Sequence, residues 1–302
     1  MAAQRFRLTG FTDEAASALE GQIDVCLTLD WKWIDLRTVG EHNIVDLPDS
    51  SFDTVLEALN RSEIRVSSFG SRIANWSRTL QDPLEDDIEE LRRAIPRMKR
   101  AGTPYIRVMS YRPPEGDGAD TPEVRNEVIR RLTVLTRIAE EAEITLLHEN
   151  CETWGGLSVD HTLRLLEAIP SAAFQLAFDT GNPPASVDKR YATPLRCQDA
   201  LEFYQAVHER VAYIHIKDAR ADAACKQVTY TWPGEGNGRI PEILDALNHD
   251  GFSGPISIEP HMAVVYHDPT VSADEEVRRK LFLEYAERTE TLLRRAGIFD
   301  VK

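Results

Sequence analysis

Short runs of β-branched and aromatic residues alternate along the chain with longer segments in which apolar residues recur at helical spacing. Parallel strands need a long connection, usually a helix, so this alternation predicts βαβ units. Eight such units favour a single (β/α)8 TIM barrel over residues 1–302, with a doubly wound open sheet as the alternative. The strands are predicted at residues 6–11, 33–38, 64–70, 105–111, 144–150, 174–180, 211–217 and 255–260.

The segments between these strands carry helix signals. Residues 82–101 begin with Asp82 as a predicted N-cap before a proline, and they place acids early and bases late. Pro96 lies inside this segment and is expected to kink or interrupt the helix. Residues 121–143 open with a Thr-Pro pair of the same kind. Further helices are predicted at residues 158–168, 198–210, 240–248 and 274–296.

Four consecutive strands have one bulky apolar face and a second face that is smaller or polar and ends in an ionisable residue. The apolar face suits packing under helices. In a barrel the second face is the interior, and its last residues lie at the C-terminal mouth, where barrel enzymes carry out their chemistry. The residues predicted to meet there are Glu149, Asp179, His215 and Glu259.

Three carboxylates that converge in a barrel mouth repel one another strongly unless a cation neutralises them. Three oxygen donors and one imidazole suit a divalent metal, with open positions for water or substrate. Manganese is our first expectation, and magnesium, cobalt and zinc stay open. Taken singly, each residue could instead be a helix cap, a surface ion pair or a core residue, so the prediction depends on the joint pattern.

Composition narrows the class of protein. The 302 residues are 42% hydrophobic, as in a packed globular protein. The net charge of −15 disfavours nucleic acid and anionic membrane as partners. We expect a cytoplasmic protein, because the chain has no long apolar run, its first residues lack the apolar core of a signal peptide, and its cysteines form no close pair. These cysteines are Cys26, Cys151, Cys197 and Cys225.

Seven short segments, spread over nearly the whole chain, form an ordered set. They are GFTDEA (10–15), IDLRTV (34–39), HEN (148–150), FDTGN (178–182), YIHIKDA (213–219), PGEGNGRIPEIL (233–244) and SIEPH (257–261). This set resembles the sugar phosphate isomerase/epimerase family of xylose isomerase-like TIM barrels. The resemblance implies one divalent metal held by the four rim residues named above. It also implies that Glu149 and Glu259 act as acid and base catalysts.

One position departs from this resemblance. Many relatives carry a DxxH element after the sixth strand, and here its fourth position is Asn182. An amide can contact a substrate hydroxyl, but it cannot shuttle a proton. The DNA-repair endonuclease of the same superfamily uses three zinc ions and additional histidines. Neither those ligands nor a basic face is apparent, which disfavours a role in DNA repair.

Further substrate contacts are predicted from strand position. Lys217 and His261 each follow a predicted metal ligand by two residues, so they lie on the same strand faces. Arg37 lies on the inward face of the second strand, where it binds polar substrate or pairs with Asp35. The candidates for an apolar wall against a sugar ring are Phe11, Trp76 and Trp154.

These residues support proton transfer at a carbon next to a carbonyl. A metal that chelates the carbonyl and the adjacent hydroxyl makes the C–H bond acidic, and a carboxylate removes the proton to give a cis-enediolate. Return of the proton isomerises or epimerises a keto-sugar or keto-polyol. Loss of a group from the β-carbon instead gives a lyase, such as an inosose-type dehydratase or an enzyme that cleaves 3-keto-glycosides. A non-catalytic sugar-binding barrel is a third alternative.

The expected partner is a neutral small-molecule carbohydrate. The PGEGNG segment (233–238) lacks the Lys-Ser/Thr of a P-loop, so it is interpreted as a tight turn rather than a phosphate cradle. The negative net charge does not steer anions towards the protein. By analogy with barrel relatives we expect a homo-oligomer, with a hetero-oligomer containing a small partner subunit as the alternative.

Overall fold

The computed structural model describes residues 6–265 and 268–298, and its centre is a nearly closed barrel of eight parallel strands. The hydrogen-bonded order around the barrel is β2-β3-β4-β5-β6-β7-β8-β1. The (β/α)8 prediction is confirmed, and the open-sheet alternative is wrong. The strands are β1 Arg7–Gly10, β2 Trp33–Leu36, β3 Arg65–Gly70, β4 Tyr105–Val108, β5 Thr145–Glu149, β6 Phe174–Asp179, β7 Val211–Ile216 and β8 Pro255–Ile258.

Helices connect the strands, and short antiparallel hairpins extend three of the loops that follow strand ends. The helices are α1 Leu19–Thr28, α2 Asp49–Arg61, α3 Leu84–Ala101, α4 Pro122–Ala142, α5 Val159–Ala168, α6 Asn182–Ala185, α7 Ala200–Val207, α8 Ile240–His249 and α9 Glu275–Arg295. The hairpins follow β2, β7 and β8, and they pair Thr38–Val39 with His42–Asn43, Ala219–Ala221 with Val228–Tyr230, and Val264–Val265 with Asp268–Ser272.

Helix α3 differs from its prediction in two respects. It continues through Pro96 without interruption, because its apolar side, including Leu91 and Met98, is buried against the barrel and offsets the lost hydrogen bond. Asp82 is not the N-cap, since Pro83 holds that position. The Asp82 carboxylate instead accepts hydrogen bonds from the backbone N and the hydroxyl of Thr79, which form a local turn.

The Thr-Pro prediction for α4 is confirmed. The hydroxyl of Thr121 accepts a hydrogen bond from the backbone N of Val124 at 3.3 Å, and Pro122 begins the helix. The predicted division of strand faces is also confirmed. Leu147, Ala177 and Tyr213 form a small apolar cluster separate from the main core that packs under the helices.

A buried carboxylate and the hydroxyl groups bound to it form a polar layer inside the barrel, here called the Asp35 layer (Asp35, Ser68, Tyr213 and Ser257). Asp35 on β2 accepts hydrogen bonds from the hydroxyls of Ser68 at 2.7 Å, Tyr213 at 2.5 Å and Ser257 at 2.6 Å. Burial raises the pKa of Asp35, although these three hydrogen bonds oppose the shift. Asp35 therefore pairs with hydroxyl groups, and the predicted alternative of a pair with Arg37 is wrong.

Cys197 and Cys225 form a disulfide with a Cα–Cα distance of 5.4 Å, whereas Cys26 and Cys151 are buried free thiols. The bonded cysteines are separated by 28 positions and lie in two loops, so their spacing gives no signal for the bond. None of the helices in the described part of the chain is both long and apolar enough to cross a membrane.

Candidate metal centre

The side chains of Glu149, Asp179, His215 and Glu259 meet at the mouth of the barrel. One donor atom from each lies within 4.8 Å of the donor atoms of the others. Glu149 and Asp179 end β5 and β6, His215 is level with Asp179 on β7, and Glu259 directly follows β8. All four are at most 2% exposed. The sequence pattern thus identified four residues that the fold does bring together.

Two donor atoms in this group point to a cation. Nδ1 of His215 is buried and makes no hydrogen bond to any described residue, whereas the buried Oδ2 of Asp179 lies 3.0 Å from the ammonium of Lys217, as an ion pair. A buried polar atom without a hydrogen bond costs about 1–3 kcal/mol. An imidazole nitrogen and a carboxylate oxygen are both donors to divalent metals. The residues present therefore fit a metal ion.

Lys217 brings a positive charge into the same cluster. Its Nζ lies 3.0 Å from Oδ2 of Asp179 and 3.6 Å from Oε2 of Glu259, as ion pairs. Burial lowers the pKa of Lys217, but the two carboxylates outweigh it and hold the pKa well above its usual range. Burial raises the pKa of Asp179 to about 6, even though Lys217 opposes this shift. Lys217 is therefore a charged neighbour of the candidate ligands.

Glu149 is oriented by two donors. Nη1 of Arg107 donates to its Oε2 at 3.0 Å, and Nδ2 of Asn182 donates to its Oε1 at 3.1 Å. Burial raises the pKa of Glu149, but Arg107, together with His215 and Lys217, holds it below the usual range. Glu149 is thus ionised at neutral pH. Asn182, predicted as a substrate contact, also touches a predicted catalytic group.

Arg37 orients the other glutamate. Its Nη1 donates to Oε1 of Glu259 at 2.5 Å, while its Nε and Nη2 donate to the two carboxylate oxygens of Asp13 at 2.9 and 3.0 Å. Burial raises the pKa of Glu259, but Lys217, His261 and Arg37 hold it well below the usual range. Both predicted acid/base residues are therefore carboxylates at neutral pH.

Glu14 is a buried acid that the strand pattern missed. Its Oε2 accepts a hydrogen bond from the backbone N of His261 at 2.8 Å. Nε2 of His261 lies 3.5 Å from both Glu14 and Glu259. Burial, with repulsion from Glu259, raises the pKa of Glu14 to about 8 although Arg37 opposes the shift. Glu14 lies just after β1 within GFTDEA, and that loop position is the signal that could have identified it.

A cavity of 360 Å³ opens above these groups. Five of the predicted substrate contacts line it, together with Arg107, which the strand pattern did not single out as a partner of Glu149. The lining includes Arg37, Trp76, Arg107, Glu149, Asn182, Lys217, Glu259 and His261.

Phe11 and Trp154 do not line this cavity, so their prediction as an apolar wall for substrate is corrected. Phe11 is fully buried, because Arg37 covers its ring with a guanidinium 4.5 Å from the ring centre, and its edge meets His215 at 5.3 Å. Trp154 is also fully buried and packs edge-on against His161 at 4.9 Å. Phe11 therefore supports the lining residue Arg37 from behind, whereas Trp154 belongs to the core.

The PGEGNG segment wraps around an internal carboxylate. The backbone N atoms of Gly234 and Gly236 donate to Oδ2 of Asp218 at 2.8 and 2.9 Å, and that of Gly238 donates to Oδ1 at 2.9 Å. A Cβ atom at Gly236 would lie 2.2 Å from Oδ1, so a larger residue would displace the loop. The segment is a turn, as expected, and its donors bind Asp218 beside Lys217.

Comparison with known proteins identifies the family to which this fold belongs. A family model described as xylose isomerase-like TIM barrel matches residues 23–283. No curated protein shows significant sequence similarity to the chain.

Solved structures share the fold over nearly their whole length. A D-tagatose 3-epimerase-like protein has a TM-score of 0.69 and 16% identity, covering 96% of this chain and 99% of that chain. The IOLI protein with a bound zinc atom has a TM-score of 0.69 and 16% identity, covering 96% and 98%. The probable 3-DHS dehydratase AsbF from Bacillus anthracis has a TM-score of 0.66 and 12% identity, covering 92% and 98%. At these identities the likeness shows the fold alone.

Proposed function

Because the chain belongs to the xylose isomerase-like TIM barrel family, we propose that it is a divalent-metal-dependent isomerase or epimerase of a keto-sugar or keto-polyol. The observation that carries this proposal is the buried cluster of Glu149, Asp179, His215 and Glu259, whose donor atoms lie within 4.8 Å of one another. The fold shared with a D-tagatose 3-epimerase-like protein supports it.

The proposed metal is manganese, with magnesium, cobalt and zinc as alternatives, because oxygen donors with one imidazole suit all four ions. Zinc in the IOLI structure supports a divalent ion in this fold. When bound, the metal supplies a Lewis acid that polarises the carbonyl of the substrate. Asp179 and His215 would hold the ion together with the two glutamates.

The two glutamates are proposed to move the proton. Glu149 and Glu259 are ionised at neutral pH because neighbouring cations keep the pKa of each low, so either can accept a proton from the carbon next to the carbonyl. The conjugate acid returns the proton to the neighbouring carbon for isomerisation. For epimerisation, the other glutamate takes a proton from water and delivers it to the opposite face of the same carbon, while the first glutamate releases its proton to water. Arg107 and Arg37 fix the orientation of Glu149 and Glu259, respectively.

A neutral substrate fits the charges of the pocket. Arg37 is paired with Asp13 and Glu259, Arg107 with Glu149, and Lys217 with Asp179. Cations that are already paired with carboxylates bind a phosphate group less strongly than unpaired ones do. This pairing supports a keto-sugar or keto-polyol without a phosphate.

A lyase or dehydratase is a second candidate function, and a neighbouring cavity of 450 Å³ favours it by offering room for a leaving group. In this reaction a glutamate takes the α-proton, and the C–H electron pair forms a carbon–carbon double bond. The bond from the β-carbon to the leaving oxygen breaks, and that oxygen takes the electron pair and a proton. The products are an enone and an alcohol or water.

Incubation of the metal-loaded protein with keto-sugars in deuterium oxide distinguishes these functions. Deuterium at the α-carbon without loss of a substituent supports the isomerase or epimerase. Ultraviolet absorbance of an enone supports the lyase. The same protein treated with EDTA, and then reloaded with manganese, is the control. If calorimetric titration detects no divalent ion bound, and exchange continues after EDTA treatment, the metal-dependent proposal is wrong.

A further inference from the structure

The disulfide between Cys197 and Cys225 joins two segments that lie far apart along the chain. Cys197 lies in the loop of residues 186–199, which connects α6 to α7. Cys225 lies in the turn of the hairpin that follows β7. This hairpin pairs Ala219–Ala221 with Val228–Tyr230 and is here called the β7 hairpin. The bond therefore ties the hairpin to the loop before α7.

Few other interactions hold the turn of the β7 hairpin against this loop. Sγ of Cys197 lies 3.6 Å from the backbone oxygen of Asp222, and Sγ of Cys225 lies 3.8 Å from that of Ser186. Both segments are fully described, and apart from these sulfur contacts no hydrogen bond or ion pair between described residues joins them. The first strand of the hairpin packs against α6. The disulfide is thus the tether of the outer part of the hairpin.

The β7 hairpin depends on such a tether. It consists of two strands of three residues each, and its second strand is largely exposed. An isolated two-stranded hairpin is marginally stable at best in water. A disulfide restricts the conformations that the joined segments can adopt once their contacts are lost. We therefore expect the order of this hairpin to depend on the bond.

Both joined segments contribute to the 450 Å³ cavity beside the candidate metal centre. Ser186 lines it from the loop before α7, and Val228 and Tyr230 line it from the β7 hairpin. The ring of Tyr230 packs edge-on against His261 at 5.0 Å, and His261 lines the 360 Å³ cavity of the metal centre. The disulfide thus holds together two parts of a wall next to the site.

The four cysteines differ in their access to solvent. Cys197 and Cys225 are half-buried, whereas Cys26 and Cys151 are buried free thiols. Thiol–disulfide exchange requires that a thiolate reach one sulfur of the bond, and exposed disulfides are the ones that exchange most readily. The bond between Cys197 and Cys225 is therefore within reach of a reductant.

We propose that the Cys197–Cys225 bond is a reversible redox modification site, which fixes the β7 hairpin when oxidised and releases it when a dithiol reduces the bond. This inference is independent of the proposed function, because neither a metal nor a substrate enters it. Release of the hairpin separates Tyr230 from His261 and opens the 450 Å³ cavity.

The reduction proceeds by two exchange steps. One thiolate of the dithiol attacks a sulfur of the bond, and the S–S electron pair leaves on the other cysteine sulfur, which takes a proton. The second thiolate of the dithiol then attacks the mixed disulfide, and the remaining cysteine sulfur leaves and takes a proton. The dithiol loses two electrons and two protons, and the two cysteines gain them. Glutathione disulfide reverses the change.

Hydrogen exchange with mass spectrometry tests the proposal on the EDTA-treated full chain, before and after treatment with dithiothreitol. We expect amides of residues 222–230 to exchange at least about tenfold faster after reduction, while those of β5 stay protected. Glutathione disulfide should restore the slow exchange. The Cys197→Ser, Cys225→Ser double variant should exchange like the reduced parent under both conditions. Cys26→Ala, the matched control, removes a cysteine outside the bond and should keep the response of the parent.

Iodoacetamide labelling, mapped by mass spectrometry, reports the state of each cysteine in the same samples. Neither Cys197 nor Cys225 should be labelled before reduction, and both should be labelled afterwards. Labelling of both before reduction, or of neither after it, overturns the proposal. A reduced bond with unchanged exchange in residues 222–230 also overturns it. Equal acceleration in β5 would assign the bond to the stability of the whole barrel instead. Because no metal is present, failure of metal binding leaves these outcomes unaffected.

Discussion

Nζ of Lys217 lies 3.0 Å from Oδ2 of Asp179, so a lysine ammonium sits beside an oxygen that a divalent metal would also use. The lysine and the metal would be two cations in competition for one buried carboxylate. This arrangement neutralises the carboxylates when no metal is bound, and it weakens the metal site through charge repulsion.

Removal of this lysine charge is expected to strengthen metal binding. In Lys217→Met the repulsion is lost, and the affinity for manganese should rise by about tenfold or more in a calorimetric titration. Lys217→Arg keeps the charge and should not bind more tightly than the parent. Weaker binding in Lys217→Met would contradict the competition and would instead assign Lys217 to the support of the site.

Glu149→Gln is expected to abolish turnover while the fold remains intact. The amide keeps the shape and can still accept from Arg107, but it cannot take a proton, so kcat should fall by about 10²–10⁴-fold. Circular dichroism and thermal unfolding should resemble those of the parent. Glu167→Gln, at an exposed position on α5, is the control and should retain full activity. Retained activity in Glu149→Gln would remove its acid/base role.

Arg107 is expected to set the pH at which Glu149 ionises. Its guanidinium lowers the pKa of Glu149 against the effect of burial, so Arg107→Met should raise that pKa. Because the base must be ionised, the acid limb of the kcat/KM profile should move to higher pH, with activity at neutral pH reduced about 10–100-fold. Arg92→Met, exposed on α3, should leave the profile unchanged. A uniform loss without displacement of the limb would indicate a structural role alone.

The Asp218 carboxylate is expected to hold the PGEGNG loop in place. It accepts hydrogen bonds from the backbone N atoms of Gly234, Gly236, Gly238 and Ala219. Asp218→Ala leaves these buried donors without an acceptor, and should lower the free energy of unfolding by about 3 kcal/mol. Asp218→Asn keeps one acceptor oxygen and should lose less. Equal stability of the alanine variant and the parent in urea unfolding would contradict this account.

Acid is expected to destabilise the fold partly through His148. This residue is buried on the outer face of β5, where its Nε2 lies 3.0 Å from the hydroxyl of Ser110. Burial lowers the pKa of His148 to about 4, from 6.5 in the unfolded chain, so the unfolded state binds the proton more readily. Stability is then lost as pH falls from about 6.5 towards 4, by about 2 kcal/mol between pH 7 and pH 5.

Comparison with His148→Gln isolates this contribution. Glutamine can hydrogen-bond to Ser110 but does not titrate, so the change in unfolding free energy between the two pH values should be about 2 kcal/mol smaller in the variant. EDTA-treated protein is used for both, so that pH-dependent metal binding does not enter the comparison. An identical pH dependence in the two proteins would show that His148 does not titrate as stated.

The strand pattern predicted the candidate ligands because side chains alternate strictly between two faces, and parallel strands end at one side of a barrel. Positions in loops do not follow such a rule. Glu14 and Tyr230 reach the site only through the path of the chain after β1 and β7, which tertiary packing determines. The prediction of Trp154 as an apolar wall was wrong for the same reason, because its loop turns the ring away from the cavity and towards His161.

The ends of the helices were likewise only partly predictable from the sequence. Thr121 caps α4 as its sequence indicates, whereas Asp82 makes a competing hydrogen bond to Thr79 and leaves α3 without the expected cap. Both residues have cap-forming side chains, and the nearby backbone donors decide between the two outcomes. The bond between Cys197 and Cys225 likewise depends on two loops that meet only in the folded chain.

The Asp35 layer has a consequence for how the candidate metal centre is organised. Asp35, Tyr213 and Ser257 each lie two positions before Arg37, His215 and Glu259 on their respective strands. Each residue of the Asp35 layer is thus separated by one period of the strand pleat from a residue at the mouth of the barrel. The hydrogen bonds of Asp35 therefore tie β2, β7 and β8 together across the barrel. They fix the spacing of Arg37, His215 and Glu259 whether or not a metal ion is bound.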